Sequence, residues 1–399
     1  MRKKTIGMLV YSNPDYYPPT VNAVHLLSEH FDVVLIGRNQ EPSHWEYPSN
    51  VTVHRLGQYS SMQERAQASA RSKLWEYINF VAQARRLLKE VSLIYAYDSF
   101  AYTAACLYQI ALSESVPLIY QSHEISEYLS PLTSLSGWIQ RAERAWIHKA
   151  AVVVLPDKDR AAFFHKASKL KEQPVVVPNF PRKNFFSLSS NWESLIPKRF
   201  ANSQVLLQGA ISPENSMLDL IKSITLVSNS IKLKFIGAIR ESHQNLMKKS
   251  VEEHNIIDRF NYFTPVPYAE LPLHTLSASV GICLYKKISL NQQANVTASN
   301  KIYEYAACGL PVIVSDFPNY REYLSGEPWV RFADPDDPQS IASAIQDILS
   351  DFETYKKMCL AARKAFENKF NYESAFFPIL SNIKNILDDN SIASSNKYV

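Results

Sequence analysis

The sequence predicts an α/β protein of two doubly wound domains of similar size, facing each other across a central cleft. Three observations predict it. Short apolar runs rich in β-branched residues alternate with helical stretches along almost the whole chain, the βαβ order of a parallel sheet covered on both faces. This rhythm breaks once, after Asn179, and then restarts. A length of 399 residues is enough for two domains, each with its own core.

The first run, "TIGMLVYS", follows Arg2, Lys3 and Lys4. It has the look of a secretion signal, but the apolar run from Ile6 to Tyr11 is short and no small-residue cleavage site follows. A buried first strand is therefore expected. Further strands are expected at "DVVLIGR", "VTVHRL", "SLIYAYD", "PLIYQSHE", "AVVVLP" and "PVVVPN", with an amphipathic helix over 72–91. Residues 1–180 make the first domain. Residues 181–203 carry prolines, a serine cluster and no clean periodicity, and read as a linker. The second domain, 204–371, has strands at "QVLLQGA", "KLKFIGA", "RFNYFTPV", "VGICLYKK", "PVIVSD" and "WVRFAD", then helices near 338–349 and 352–369. Residues 372–399 are a last helix, to about residue 388, that crosses back to the first domain, with a frayed tail.

Bulk composition excludes several functions. A net charge of +4, from 42 basic and 38 acidic residues, is too balanced for a nucleic-acid binder. Cys106, Cys283, Cys308 and Cys359 form no CxxC pair, which suits a reducing, cytoplasmic setting. No stretch of about 18 apolar residues is present to span a bilayer, which leaves peripheral contact with the inner membrane face open. Glycine is scarce, nine residues, and neither GxGxxG nor GxxxxGK[ST] occurs, so a phosphate would have to be held by other means.

One stretch supplies such a means. In "SNKIYEYAACGLP", Ile302, Tyr305 and Ala306 share a face fit for a sheet, while Lys301 and Glu304 share another. Ser299 or Asn300 can cap the helix, and Gly309 with Pro311 ends it. Free N–H groups, the positive end of the dipole and the Lys301 ammonium make an anion site, and Glu304 can accept two hydroxyl hydrogen bonds, as from a ribose. A solvated Lys301–Glu304 surface pair is the competing reading.

The stretch "SNKIYEYAACGLPVIVSDFPNYRE" resembles the C-terminal signature of retaining glycosyltransferases of GT-B fold, of the glycosyltransferase family 4 type. "QGAISPENSMLDLIKSI" and "KLKFIGA" are similar to the opening of that family's donor domain, and "YQSHEISEY" to its histidine loop. The resemblance implies two Rossmann-like domains, the first for the acceptor and the second for a nucleotide-sugar donor. It implies that Glu304 holds the ribose, and that Lys301 with the helix start (Ser299, Asn300 and Ile302) holds the diphosphate. Gly209, at the loop after the first donor-domain strand, would also belong to the donor site. Thr264, Pro265 and Val266 would meet the base through the main chain. His123 would touch the donor sugar with its carbonyl near the anomeric carbon, and Glu124 stands beside it as the second candidate catalytic residue.

The chain departs from that pattern at two places. Eight residues before Glu304, where the family often has a glutamate, stands Val296, with Asn295 and Thr297 as neutral substitutes. The loop "GAISPENSM" lacks the family's Arg and Lys, leaving Lys286, Lys287 or Arg240 to supply charge. Two Asp-x-Asp strings, Asp157–Asp159 and Asp334–Asp336, are explained by helix capping, so no metal or other cofactor is expected.

The implied reaction is transfer from a nucleotide-diphosphate sugar to a glycan or lipid-linked hydroxyl, as in polysaccharide biosynthesis. Arg85, Arg86 and Lys89, and Trp138 and Trp146 among basic residues, suit either anionic headgroups or a core with a solvated basic face. Two other readings compete: a nucleotide-sugar 2-epimerase, which would need acid/base groups such as His123 and Glu124, and a non-catalytic module that binds nucleotide sugar or a partner.

Overall fold

The structure, a computed structural model, describes residues 3–40, 45–111 and 116–395. It forms two compact units, residues 1–179 with 375–399, and residues 180–374. In the first unit the strands are β1 (Thr5–Val10), β2 (Asp32–Arg38), β3 (Val51–Leu56), β4 (Leu93–Tyr97), β5 (Leu118–Gln121), β6 (Val152–Leu155) and β7 (Val175–Val176). They pair in parallel in the order β3-β2-β1-β4-β5-β6-β7, with Met8 set between Leu35 and Tyr95. In the second unit β8 (Gln204–Gln208), β9 (Lys232–Ile236), β10 (Phe260–Phe263), β11 (Val280–Cys283), β12 (Val312–Ser315) and β13 (Val330–Ala333) pair in parallel as β10-β9-β8-β11-β12-β13.

The central strands are continuous apolar runs because helices cover both faces: Leu93–Tyr97 and Val205–Leu207 are buried at every residue. In each sheet the order reverses beside the first strand, between β1 and β4 and between β8 and β11. At such a reversal successive crossovers leave in opposite directions, and a crevice opens beyond the carboxyl ends of the strands. Thirteen expected strands are present at the expected places.

Two boundaries differ. Residues 181–203, read as a linker, are built into the second unit: Lys183–Phe186 and Trp192–Leu195 are 3-10 turns, and Ile196–Asn202 is an α-helix. Single anchors hold this segment, which is why it lacks periodicity. Phe186 and Ile196 are buried, and Arg199, 2% exposed, donates to the carbonyls of Leu276, Cys308 and Gly309 at 2.8, 2.6 and 3.0 Å. The last helix runs from Tyr372 to Ser395, well past residue 388, so most of the expected frayed tail is helical; residues 396–399 lie outside the described residues.

Candidate functional site

The helix Asn300–Ala307 sits where the second sheet reverses. Tyr305 pins it there: its hydroxyl meets the carbonyls of Leu206 and Ile282, both at 3.2 Å, and accepts from the Gln208 N–H at 3.1 Å. Its ring lies so close to β11 that a Cβ on Gly281 would come within 2.5 Å of it. At the C-terminal end, Arg199 and Arg363 donate to the carbonyls of Ala307, Cys308 and Gly309. Cations there complement the helix dipole and leave its amino end as the open, positive end.

That end lines a cavity of about 310 Å³ with Gln208, Gly209, Tyr268, Tyr285, Asn295 and Asn300 among its walls. Ser299 is the N-cap, yet its hydroxyl makes no capping bond. It meets Tyr285 Oη at 3.1 Å and Cys283 Sγ at 3.2 Å, so the first-turn N–H groups gain no side-chain partner from it. The Lys301 ammonium lies 4.9 Å over the Tyr285 ring. Among the described residues Asn300 Oδ1 is buried without a hydrogen-bond partner, a spare acceptor on a residue that lines the cavity. Gly209 has φ +93°, open to glycine, and a Cβ there would stand 3.1 Å from Lys301 Cε.

Glu304 is 4% exposed, which rules out a solvated surface pair. One carboxylate oxygen accepts from Gln208 Nε2 at 2.7 Å and the other from Tyr268 Oη at 2.8 Å. Burial pushes its carboxyl above the usual range, while Tyr268, Gln208 and Lys301 pull it back. A carboxylate oxygen has a second lone pair, so Glu304 arrives at a ligand already oriented, with acceptor capacity left.

Several expected residues fall elsewhere. Ile302 is fully buried on the sheet side, so only its main chain can reach a ligand. Lys286 is held by Asp219 and Asp336, both at 2.7 Å, and its charge is neutralised away from the cavity. Thr264 and Val266 follow the edge strand β10 and do not line the cavity; Thr264 is exposed. Of the two neutral substitutes for the missing glutamate, Asn295 lines the cavity, while Thr297 and Val296 are buried outside it. Gln208, Tyr268 and Tyr285 were missed. A polar residue at a strand's carboxyl end, as in "VLLQGA", was a signal for Gln208 alone.

In the first unit His123 lies beyond β5, 5% exposed. Its ring is sandwiched between Tyr17 and Tyr97, at 4.7 and 5.3 Å, nearly parallel to both. Asp98 clamps it twice, accepting from the main-chain N–H at 2.8 Å and from Nδ1 at 3.0 Å. A carboxylate only accepts, so Nδ1 carries the proton and Nε2 faces Thr20 Oγ1 at 3.4 Å. Asp98 holds this position with φ 58°, a backbone state that costs about 1 kcal/mol or more for a non-glycine residue. The His123 carbonyl, expected to face the reacting carbon, accepts from Arg160 at 2.7 Å. Glu124 is exposed and lines, with Asp98, His123 and Glu143, a cavity of about 160 Å³. Burial raises the Glu143 carboxyl to about 7, against the hydrogen bond it accepts from Tyr120.

The first Asp-x-Asp string caps a helix, Asp157 accepting from the Asp159 N–H at 2.9 Å. In the second, Asp334 accepts from the Asp336 N–H at 2.9 Å, and the next residue, Asp337, caps the following helix by accepting from the Gln339 N–H at 2.9 Å. Among the described residues no group of three or more His, Cys, Asp or Glu side chains is placed to hold a metal ion, and no helix is long and apolar enough to cross a membrane. Trp138 is 62% exposed, which excludes a core role for it.

Residues 197–365 match the family described as Glycosyl transferases group 1. Sucrose-phosphate synthase from Thermosynechococcus elongatus shares the fold with a TM-score of 0.74 at 14% identity, covering 97% of this chain and 100% of that one. Anabaena HepE in complex with UDP and glucose gives 0.68 at 15% identity over 96% and 100%. The E. coli trehalose-6-phosphate structure bound with UDP-2-fluoro glucose gives 0.67 at 12% over 96% and 99%. No protein of curated function matches the chain by sequence.

Proposed function

We propose that this chain, a glycosyltransferase of GT-B fold, is a retaining hexosyltransferase of the family 4 type that uses a nucleotide-diphosphate sugar, without a metal ion, and delivers the sugar to a hydroxyl on a glycan or lipid-linked acceptor. One observation carries the reading: the 310 Å³ cavity combines open helix N–H groups and Lys301 for a diphosphate with Glu304 and Asn300 for the hydroxyls of a ribose. The UDP bound in the Anabaena structure and the UDP-2-fluoro glucose bound in the E. coli one favour a uridine donor.

In the reaction an acceptor oxygen bonds to the anomeric carbon as the bond from that carbon to the diphosphate oxygen breaks. The departing oxygen keeps the electron pair, and the acceptor proton passes to a phosphate oxygen on the same face. Fixed donors aimed at the leaving group, here Lys301 and the first-turn amides, stabilise the developing charge without reorganisation. His123, its tautomer set by Asp98, offers Nε2 to a sugar hydroxyl. Exposed Trp75 and Trp138 support peripheral contact with the inner membrane face in a cytoplasmic protein.

Calorimetry with UDP, GDP and UDP-glucose tests this. UDP is expected to bind with an affinity that EDTA leaves unchanged, and GDP about tenfold or more weaker. Binding of no nucleotide overturns the reading in favour of a non-catalytic module. The buried Val296 and the uncharged start of the loop after Gly209 favour that second reading.

A further inference from the structure

A cavity of about 670 Å³ in the first unit opens beyond the carboxyl ends of β1, β2 and β4. Its walls include Tyr11, Tyr16, Tyr17, Arg65, Lys73 and Phe100. Among the described residues its charged lining is basic: Arg65 and Lys73 line it, and no described carboxylate does. The contrast is the neighbouring cavity at His123, which is walled by Asp98, Glu124 and Glu143.

Arg65 is half-buried, with its guanidinium 4.9 Å over the Tyr11 ring. Arg38 stands over the same ring at 5.0 Å and is neutralised by Glu76 at 2.7 Å. Among the described residues no carboxylate forms an ion pair with Arg65. Burial and then Arg38 pull its pKa down, against Tyr11 and Glu76, which raise it. Two helices also begin at this wall, Ala70–Leu87 and Leu135–Trp146, and they add the positive ends of their dipoles.

The rest of the wall is aromatic and hydrogen-bonding. Tyr11 stacks on Phe100 at 5.1 Å, and Tyr17 carries the cavity to His123, on which it stacks. Gln40 is 5% exposed, with its carbonyl oxygen taken by the Asn13 N–H at 3.2 Å, which leaves its NH2 as the group to meet a ligand.

We propose that this cavity seats the acceptor and that the acceptor carries an oxyanion, a phosphate or carboxylate, which Arg65 and Lys73 bind while the tyrosine faces hold its sugar ring. The role as acceptor rests on the transferase reading above; the preference for an anion does not. The anion can be that of a free sugar phosphate or of a lipid headgroup.

The test measures binding to the full chain at saturating UDP, using glucose 6-phosphate, methyl glucoside, and vesicles of phosphatidylglycerol or phosphatidylcholine. Glucose 6-phosphate or phosphatidylglycerol is expected to bind, the neutral counterpart not. Arg65→Gln and Lys73→Gln should each weaken the anionic probe about tenfold or more, with partial rescue by Arg65→Lys and unchanged UDP binding. Which probe binds names the source of the anion. Equal binding of charged and neutral probes, binding of neither, or indifference of the charged probe to both glutamine variants overturns the inference. Because UDP is read in the second unit, loss of UDP binding in the wild-type chain fails the donor reading and leaves this one standing on the anionic probes alone.

Discussion

The second unit and the first share a strand order and treat their central polar residue in opposite ways. Glu304 is buried with both oxygens already occupied, by Gln208 and Tyr268. His123 is fixed by a carboxylate and two stacked rings, yet among the described residues its remaining nitrogen meets only a 3.4 Å contact with Thr20. The first arrangement stores its geometry in the fold and binds with little rearrangement. The second holds a direction and leaves its last bond to be made. The difference suits the roles proposed for them, ribose binding for Glu304 and contact with the transferred sugar for His123.

The strongest way to break the comparison is Glu304→Ala. It removes the acceptor from two buried donors, so UDP affinity and kcat/KM are expected to fall about 100-fold, with about 1–3 kcal/mol lost from stability in denaturant unfolding. Unaltered transfer kinetics would refute the ribose assignment. Asp98→Asn comes next. Asparagine tolerates the left-handed backbone at this position, so the fold should persist, while the amide no longer enforces the Nδ1 proton. A fall of about tenfold to 100-fold in kcat with UDP affinity untouched is expected. A matching loss of UDP binding would erase the distinction between the units.

The smallest effect on rate should come from Glu143→Gln, which sharpens the contrast through stability instead. With its folded pKa raised to about 7, Glu143 keeps a proton that the unfolded chain has released by then. Stability therefore falls as pH rises from the unfolded value near 4.5 to about 7 and then levels off, by up to about 3 kcal/mol. Thermal melts at pH 5 and pH 8 should differ by more in the wild type than in Glu143→Gln.

What could be read from the residues follows from how local each feature is. The central strands were legible because both faces are covered and their apolar runs are continuous, as in Leu93–Tyr97. The edge strands β3 and β10, with no fully buried residue, were legible from their β-branched and aromatic residues instead. The helix start at 299–304 was legible because Lys301, Glu304 and the cap lie within six residues of one another. Its surroundings were not. Gln208, Tyr268 and Tyr285 arrive from three separate strand ends or loops, and apart from the polar side chain of Gln208 at the end of its strand nothing in their own neighbourhoods marks them. Lys286 shows the reverse error: a sequence displays a positive charge, and only the fold reveals that Asp219 and Asp336 have already claimed it. The segment 181–203 was lost for a related reason, since one buried arginine donating to three carbonyls leaves no period to detect.

The helix Tyr372–Ser395 has a consequence for how the protein is made. Its residues from Ala375 onward belong to the first unit, where Phe376 stacks near Tyr95 of β4, and Lys4 beside β1 reaches the Leu387 carbonyl and Asp388. A ribosome that has finished residue 179 has therefore released a sheet without its closing helix. The whole second unit can emerge and fold while Tyr95 still waits for Phe376. Synthesis of residues 1–179 therefore does not complete their own unit, which closes only once the helix from Ala375 onward has emerged, after the whole of the second.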